Sequence, residues 1–388
     1  MQFVHLSDSH LGYRQFGIFE REQDLYDLFE TTIDKIIELD VDFVIHSGDL
    51  FDQSRPSTNA LLVFQRGLLK LNEAGIPVYA IAGNHDSVLR KNVKSPIALF
   101  EELGLNIIGI GEAFDVDNVL ICGMPYVPKS QKKGMIAILE QLSKLAEDHE
   151  KSILVMHQGI GKYLPEDAYE LELDELPENF NYYAFGHIHD FFEEDYGKGK
   201  LVYPGSMEMY RLNDNFDEFG KGFCVVDISS DVPSVERISI EIPRKQLKIT
   251  IKYEELDEEL EKLKSELESF DKKPMLDLTI EGEDFESAEV YEVIKEAIGE
   301  YVLNLRPSFK IFSSMPEDSN LPPEELLNPR SMLKRKINEK YGMDEVTGLS
   351  LDLFDYLSVK NIEDAQYISN DFYDEYYCNT ENSDLKED

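Results

Sequence analysis

A set of metal-ligating and proton-transferring side chains stands directly after short apolar runs of the sequence. Its members are Asp8, His10, Asp49, Asn84, His85, His157, His187 and His189. The chain has only 8 histidines, and most of them belong to this set. Imidazole, carboxylate and amide oxygen suit divalent ions such as manganese, iron or zinc, and no thiolate accompanies them. Two ions roughly 3.5–4 Å apart can hold the attacking and leaving oxygens of a phosphoryl displacement. The set therefore predicts a two-metal site that hydrolyses phosphate esters.

The spacing within the set suggests different roles for its members. Such a site needs one ligand shared between the two ions, and Asp49 is the natural choice because a carboxylate has two oxygens. The pairs Asp8-x-His10 and His187-x-His189 place two ligands on one loop. His85 follows the amide ligand Asn84, so its imidazole is free to orient the phosphate or to protonate the leaving oxygen.

Strands of an α/β fold must bring these residues together. The apolar runs that precede them are 3–6, 43–45, 78–81, 153–156 and 182–185. Apolar residues at helical spacing predict helices over 22–40 and 61–72. In layered α/β folds ligands bind beyond the carboxyl ends of the strands. We therefore predict two packed sheets with helices outside.

The pattern changes near Pro243, which predicts further domains. Residues 1–243 form the first domain, 244–312 a small βαβαβ domain, 313–327 a linker and 328–388 a helical segment with a disordered tail. Within the small domain, helices are predicted over 256–267 and 287–298, and its last strand over 301–305.

Composition limits the possible partners. The chain has 388 residues and a formal net charge of −40. This charge argues against nucleic acid, because DNA binding relies on Lys and Arg, although bound dications can reverse the charge locally. Adaptation to high internal salt is another explanation of the charge. The 3 widely spaced cysteines, the absence of a signal peptide and the lack of a long apolar run predict an intracellular, cytoplasmic protein without a membrane span.

The motifs resemble a known superfamily. Its pattern appears as Asp8-x-His10, Gly48-Asp49, Gly83-Asn84-His85-Asp86, a lone His157 and Gly186-His187-x-His189. Their order and spacing are similar to the calcineurin-like metallophosphoesterases. Within that superfamily, the stretches 7–13 and 46–51 resemble the archaeal double-strand-break repair nuclease, which partners an SMC-like ABC ATPase.

This resemblance implies a ligand set and an activity. Asp8, His10, Asp49 and His189 would hold one manganese ion, and Asp49, Asn84, His157 and His187 the other, with His85 assisting catalysis. Magnesium, iron or zinc could replace manganese. The implied activity is 3′-to-5′ exonuclease on duplex DNA and endonuclease on single strands. Residues 244–312 would cap the site and contact DNA.

The chain departs from the family's pattern at one position. Where the family usually has histidine after Gly-Asp-Leu-Phe, this chain has Asp52. The lost imidazole would weaken catalysis or alter strand preference, or else Asp52 is a supporting acceptor or an exposed acid.

Further contacts are predicted around these motifs. Basic and aromatic residues on nearby loops would bind the DNA backbone: Tyr13, Arg14, Arg55, Arg90, Lys91 and Lys94. Helices near 61–71 and 96–103 would form a homodimer, with core packing as the competing interpretation. The C-terminal helices would bind the ATPase, because many aromatic residues follow a basic patch there, with packing back onto the catalytic domain as the competing interpretation.

Two other functions remain open from the sequence. The protein could be a general metallophosphatase or phosphodiesterase acting on small molecules. It could also be a non-catalytic subunit that tethers DNA ends.

Overall fold

The computed structural model describes residues 1–87, 94–165, 168–210, 220–312, 329–358 and 362–373. The chain divides into two compact units, Met1–Phe312 and Ser313–Asp388. The predicted linker begins at this division. The predicted first domain and the small domain both lie in the first unit.

Two large sheets form the body of the first unit. Their strands are β1 Gln2–Leu6, β2 Phe43–His46, β3 Val78–Ala80, β4 Leu105–Ile107, β5 Ala113–Val116, β6 Val119–Met124, β7 Lys151–His157, β8 Tyr182–Gly186, β9 Phe192–Tyr196, β10 Gly199–Tyr203, β11 Gly222–Asp227 and β12 Ser234–Ser239. Within the described residues, the first sheet has the order β12-β11-β1-β2-β3-β4 and the second β5-β6-β7-β8-β10-β9. The inner strands of each sheet are parallel, and the outer strands β5, β9, β11 and β12 are antiparallel to their neighbours. The predicted two-sheet α/β sandwich is confirmed.

Alternation along the strands explains why the two sheets pack face to face. On β1, Val4 lies in the apolar cluster beneath the helices, whereas Phe3 lies in the cluster between the sheets. On β7, Leu154 faces outward and Ile153 and Val155 face the other sheet. Strands that are buried on both faces have continuous apolar sequences, which explains the apolar runs found in this sequence.

Amphipathic helices cover the outer faces. They are α1 Phe19–Glu38, α2 Thr58–Glu73 and α3 Lys132–Glu147, with a 3₁₀ helix at Pro96–Leu103. The buried stripe of α1 includes Leu25, Phe29, Ile33 and Ile36 at helical spacing. Ser57 begins α2, because its side-chain oxygen accepts a hydrogen bond from the backbone N–H of Ala60 at 3.1 Å.

A third, smaller sheet completes the first unit. It contains β13 Gln246–Lys252, α4 Leu256–Leu267, β14 Met275–Glu283, α5 Ser287–Ile298 and β15 Asn304–Phe312. All three strands are parallel in the order β13-β14-β15, so the predicted βαβαβ arrangement is confirmed. The prediction of a strand from 301 is wrong at its start, because residues Gly299–Tyr301 extend the helical segment as a 3₁₀ turn.

Buried charges connect this small sheet to α1. Asp24 on α1 is 2 % exposed. It accepts from Arg244 Nε at 2.5 Å, Lys272 Nζ at 3.0 Å and Arg21 Nη1 at 3.0 Å. Arg21 also pairs with Glu208 at 3.1 Å. One carboxylate therefore fixes the base of the third sheet against the first helix.

The second unit contains helices. Those described are Pro329–Tyr341, Asp344–Ser358 and Ile362–Tyr373. Arg330 pairs with Asp355 across the first two helices at 2.9 Å. Among the described residues, no helix is both long and apolar enough to cross a membrane.

Candidate metal centre

The predicted ligands meet because their strands are parallel neighbours. The first sheet supplies Asp8 after β1, Asp49 after β2 and Asn84 after β3. The second sheet supplies His157 at the end of β7 and His187 just after β8. The carboxyl ends of these strands lie at one edge of the sandwich, so residues far apart in sequence converge there.

The backbone at these strand ends adopts an uncommon conformation. Positive φ angles occur at Asp8 (52°), His10 (41°), Asp49 (52°) and His187 (92°). Residues other than glycine rarely adopt this left-handed backbone conformation. Such backbone strain concentrates at functional sites, where the surrounding structure enforces it.

Two glycines allow the loops to approach one another. A Cβ on Gly83 would lie 2.1 Å from Asp49 Oδ1 and 2.3 Å from the Asp49 backbone nitrogen. At Gly48, a Cβ would lie 2.4 Å from His157 Nδ1. Only glycine therefore fits where the loops after β2 and β3 meet each other and β7.

A first ligand group consists of Asp8, His10 and His189. Nε2 of His10 and Nε2 of His189 lie 3.2 Å apart. Asp8 Oδ1 lies 3.8 Å from His10 Nε2 and 3.7 Å from His189 Nε2. These three donor atoms point at one small space and can hold one ion.

A second ligand group lies around the Asn84 side chain. Asn84 Oδ1 is 2.9 Å from His187 Nδ1 and 3.1 Å from His157 Nε2. His157 Nδ1 donates to the carbonyl oxygen of Ser47 at 2.8 Å, since a carbonyl can only accept. That hydrogen bond leaves Nε2 of His157 free to ligate.

Asp49 lies between the two groups. Its Oδ2 atom is 3.7 Å from His10 Nε2 and 3.2 Å from His157 Nε2. Its Oδ1 atom instead accepts the backbone N–H of His85 at 2.8 Å. A single carboxylate oxygen thus faces both ligand groups.

These residues fit a pair of divalent ions. The donors are carboxylate, imidazole and amide oxygens, which suit hard to borderline cations. Asp8 is fully buried, and its Oδ1 atom has no hydrogen-bond partner among the described residues. An orphaned buried carboxylate oxygen is costly unless a cation accompanies it.

Burial and neighbouring charges control protonation in the metal-free site. Burial raises the pKa of Asp8 to about 7, against the lowering effect of His157. Burial lowers the pKa of His10 to about 3 and that of His187 to about 4. These two imidazoles are therefore already neutral, which is the form that binds metal.

The Asp49–His157 pair is the exception. Burial lowers the pKa of His157, but the charge and hydrogen bond of Asp49, together with the Asp8 charge and the Ser47 carbonyl, raise it to about 10. Burial raises the pKa of Asp49, but His157 lowers it to well below its usual range. Without metal, the two side chains form a buried ion pair whose proton must leave when His157 becomes a ligand.

His85 lies at the open side of the site. Its side chain is 43 % exposed, in contrast to the buried ligands. Nδ1 of His85 lies 2.8 Å from the carbonyl oxygen of Asp52, so it carries the hydrogen and donates. Nε2 is therefore the nitrogen available to a substrate.

The sequence did not assign a role to three supporting side chains. Tyr210 donates from its hydroxyl towards the carbonyl oxygens of Asp8 and Ser9 at 2.9 and 2.8 Å. Asp86, fully buried, accepts from the backbone N–H groups of Gly83 at 2.6 Å and Leu50 at 2.7 Å. The Tyr126 ring stacks on His187 with centroids 6.1 Å apart. Tyr210 follows β10, Asp86 follows β3 and Tyr126 follows β6. Their positions after strands are therefore the sequence signal that could have identified them.

The predicted DNA contacts are distributed unevenly. Tyr13, Arg14 and Arg55 line one cavity of about 480 Å³ that also contains Asp52. Arg14 pairs with Glu22, whereas Arg55 is exposed. Lys94 lines a different cavity of about 300 Å³. Arg90 and Lys91 lie outside the described residues.

Comparisons with known proteins agree with this fold. Residues 1–191 match the family described as calcineurin-like phosphoesterase. The DNA double-strand break repair protein Mre11 of Methanocaldococcus jannaschii is 40 % identical over 262 residues, which cover 65 % of this chain and 70 % of that protein. The proteins of the same name from Saccharolobus solfataricus and Sulfurisphaera tokodaii are each 35 % identical, over 73 % and 80 % of this chain and 76 % and 80 % of their own lengths.

The catalytic fold is thus that of a calcineurin-like phosphoesterase. Because the similarity extends over most of the chain and of its relatives, the chain belongs to the Mre11 family.

Proposed function

We propose that the protein is a DNA double-strand-break repair nuclease that hydrolyses phosphodiester bonds with two manganese ions. The position of Asp49 carries the proposal, since its Oδ2 atom lies 3.7 Å from His10 and 3.2 Å from His157. Membership of the Mre11 family supports DNA as the substrate, because the relatives are named for double-strand-break repair.

The two ligand groups support the proposed ligand sets. One ion would be held by Asp8, His10, Asp49 and His189, and the other by Asp49, Asn84, His157 and His187. When bound, the ions supply a nucleophilic water at neutral pH and positive charge for the phosphate oxygens. Manganese is the proposed metal, and magnesium, iron or zinc suit the same donors.

His85 is the proposed catalytic residue of the chain itself. Asp52 holds the Nδ1–H of His85, so Nε2 points to the open side of the site. A protonated Nε2 can donate its hydrogen to the leaving oxygen as the phosphorus–oxygen bond breaks. The backbone N–H of His85 meanwhile anchors this loop on Asp49 at 2.8 Å.

DNA would approach over the cavity beside Asp52. Arg55 and Tyr13 line it, and contacts of this type hold the phosphate backbone without selecting a sequence. Arg14 is less available because Glu22 neutralises it. Arg90, Lys91 and Lys94 stay proposed contacts, as does the capping role of residues 244–312.

The mode of cleavage and the partners are part of the same proposal. The enzyme acts as a 3′-to-5′ exonuclease on duplex DNA and as an endonuclease on single strands, at DNA ends inside the cell. Its C-terminal helices bind an SMC-like ABC ATPase, and apolar side chains such as Leu357 and Ile362 are exposed there. A homodimer forms through α2 and the 3₁₀ helix at Pro96–Leu103, where Leu62, Leu69 and Leu99 are exposed.

Digestion of an end-labelled linear duplex tests the proposal. We expect manganese-dependent shortening of the duplex that EDTA stops, that the Asp49→Asn variant lacks, and that a co-expressed ATPase enhances. A nitrophenyl monophosphate serves as the competing substrate. Turnover of the monoester without cleavage of DNA would identify a phosphatase, and binding of ends without any cleavage would identify a tethering subunit.

A further inference from the structure

Two buried histidines lie beneath the ligand loops, and neither belongs to the proposed ligand set. His5 on β1 is 0 % exposed and His46 on β2 is 3 % exposed. A buried imidazole is costly unless its nitrogen atoms find hydrogen-bond partners, whereas an apolar side chain has no such need. The partners of these two rings therefore indicate why histidines stand in the strands that lead to Asp8 and Asp49.

Each histidine forms a hydrogen bond with a serine that follows the other strand. His5 Nε2 lies 2.8 Å from the hydroxyl oxygen of Ser47, in the loop after β2. His46 Nε2 lies 2.7 Å from the hydroxyl oxygen of Ser9, in the loop after β1. Both serines are buried. The two hydrogen bonds thus cross between neighbouring strands and tie each ligand loop to the adjacent strand.

Through Ser47, His5 reaches the second ligand group. The carbonyl oxygen of Ser47 accepts the Nδ1 hydrogen of His157 at 2.8 Å, so the position of Ser47 affects the orientation of that ring. The other nitrogen of His5, Nδ1, lies 2.9 Å from the hydroxyl oxygen of Tyr182 on β8. His5 therefore links the loop after β2 to the second sheet, which supplies His157.

Through Ser9, His46 reaches the first ligand group. Ser9 stands between Asp8 and His10, so its hydroxyl group helps to fix the segment that carries both ligands. Ser9 donates to Met207 Sδ at 3.2 Å, and because a hydroxyl has one hydrogen, Nε2 of His46 is then the donor to Ser9. Nδ1 of His46 is buried without a hydrogen-bond partner among the described residues, so Ser9 is the partner that accounts for this ring.

The two pairs lie on opposite faces of the first sheet. His5 follows Phe3 by two residues and shares its face, which packs between the two sheets. His46 follows Val44 by two residues and shares its face, which packs beneath the helices. Because one pair lies between the sheets and the other beneath the helices, each can be removed by itself.

We propose that His5 and His46 are positioning residues of the metal centre. Each holds a ligand loop through the hydroxyl group of a serine, which is Ser47 for His5 and Ser9 for His46. The inference rests on the proposed function in one respect, namely that divalent ions bind the two ligand groups. It assigns the His46–Ser9 pair to the ion of the first group and the His5–Ser47 pair to the ion of the second.

Calorimetric titration of the full-length protein with Mn²⁺ tests the pairs through their serines, since a change to alanine removes only the hydroxyl group. We expect Ser9→Ala and Ser47→Ala each to weaken the binding of one ion about 10-fold, the lower end of the range for loss of a group that supports a metal ligand. Anomalous diffraction from crystals grown at limiting Mn²⁺ identifies the ion. The peak of the first ligand group should weaken most in Ser9→Ala, and that of the second group in Ser47→Ala.

Ser152→Ala is the matched control. Ser152 is also fully buried, and its hydroxyl oxygen lies 3.5 Å from Asn181 Oδ1. It stands near the start of β7, at the opposite end of the strand from His157. This variant should therefore bind Mn²⁺ as the unsubstituted protein does.

A paired substitution separates positioning from stability. Ser9→Ala alone leaves the buried His46 without its partner and should lower the midpoint of urea unfolding. Replacing both groups, His46→Leu together with Ser9→Ala, should restore much of the midpoint, because no buried polar group is then left unpaired. The Mn²⁺ affinity should stay about 10-fold low, because the ligand loop is still released.

Two results would overturn the inference. One is equal Mn²⁺ affinity in the unsubstituted protein and in both serine variants. The other is a paired variant whose Mn²⁺ affinity recovers together with its stability. Failure of the proposed function is a separate result, because it is the absence of DNA cleavage by the unsubstituted protein with manganese bound.

Discussion

At the scale of single residues, the proposed metal ligands and the proposed proton donor differ in burial. The proposed ligands Asp8, His10 and His157 are buried, and each belongs to a group of donor atoms that lie within 4.8 Å of one another. His85 is more exposed and presents Nε2 to the substrate side. Two substitutions can therefore distinguish the two tasks.

Asp49→Ala and His85→Ala should differ in metal content. Without Asp49 the shared ligand is lost, so metal loading and turnover should fall together. Without His85 both ligand groups are intact, so metal should stay bound while turnover falls about 100- to 10,000-fold, as expected for a lost general acid. Metal analysis of the two purified variants, beside a DNA cleavage assay, measures this. An Asp49 variant that retains two ions per chain would contradict the bridging role.

Metal binding should strengthen as pH rises from 6 to 8. The pKa of Asp8 is raised to about 7 and that of His157 to about 10, so both groups hold protons at the lower pH. Each proton must leave before its group can ligate, which means that binding releases protons. Calorimetry in two buffers of different ionisation enthalpy counts the protons released. Affinity independent of pH, with no proton release, would show that these groups are not ligands.

At the scale of elements, the parallel strands do most of the positioning. Their apolar runs and the polar residues that follow them are visible in the sequence, so the α/β sandwich and the residues that meet at its edge were predictable. The edge strands β5 and β9 were not predicted, because their residues alternate between half-buried and exposed. Helix α3 was missed although Met135, Leu139 and Leu142 show its helical spacing.

Contacts between residues far apart in the sequence could not be predicted from the sequence either. The hydroxyl of Tyr210 reaches Asp8, 202 residues away. Nothing local to either residue indicates this hydrogen bond, because it depends on how the segment after β10 folds over the first strand end. The same holds for Tyr126 and His187, which belong to different strand ends of the second sheet.

Gly83→Ala should disrupt the site by displacing the backbone of its loops. The new Cβ would lie 2.3 Å from the Asp49 backbone nitrogen, so the loops after β2 and β3 must separate. Overpacking of this kind costs about 1–3 kcal/mol, and the loss of loop geometry should weaken metal binding as well. Gly134→Ala in α3 is the control, because its Cβ would meet nothing within 4 Å. Urea unfolding and manganese titration of both variants measure the difference, and equal behaviour would refute the close-approach argument.

At the scale of the whole molecule, charge is the most unusual property. The net charge is −40. Two of the cations, Arg21 and Arg244, are buried around Asp24 and so are unavailable to DNA. The proposed dications would add positive charge that these two arginines cannot supply, and the shared pairing makes Asp24 important for stability.

Asp24→Ala should destabilise the first unit strongly. It would leave Arg21 and Arg244 buried without their shared carboxylate, and breaking a buried pair in this way costs about 3–5 kcal/mol. Asp34→Ala should cost about 0–1 kcal/mol, because Asp34 forms only an exposed pair with Lys70. Urea unfolding followed by circular dichroism gives both values. Similar losses in the two variants would show that the Asp24 network does not hold the small sheet.

Anomalous diffraction from crystals grown in manganese tests the two-ion centre most directly. The expected map has two anomalous peaks per chain, one beside His10 and His189 and the other beside Asn84 and His187, with Asp49 Oδ2 touching both. A single peak, or two peaks that share no carboxylate, would contradict the account.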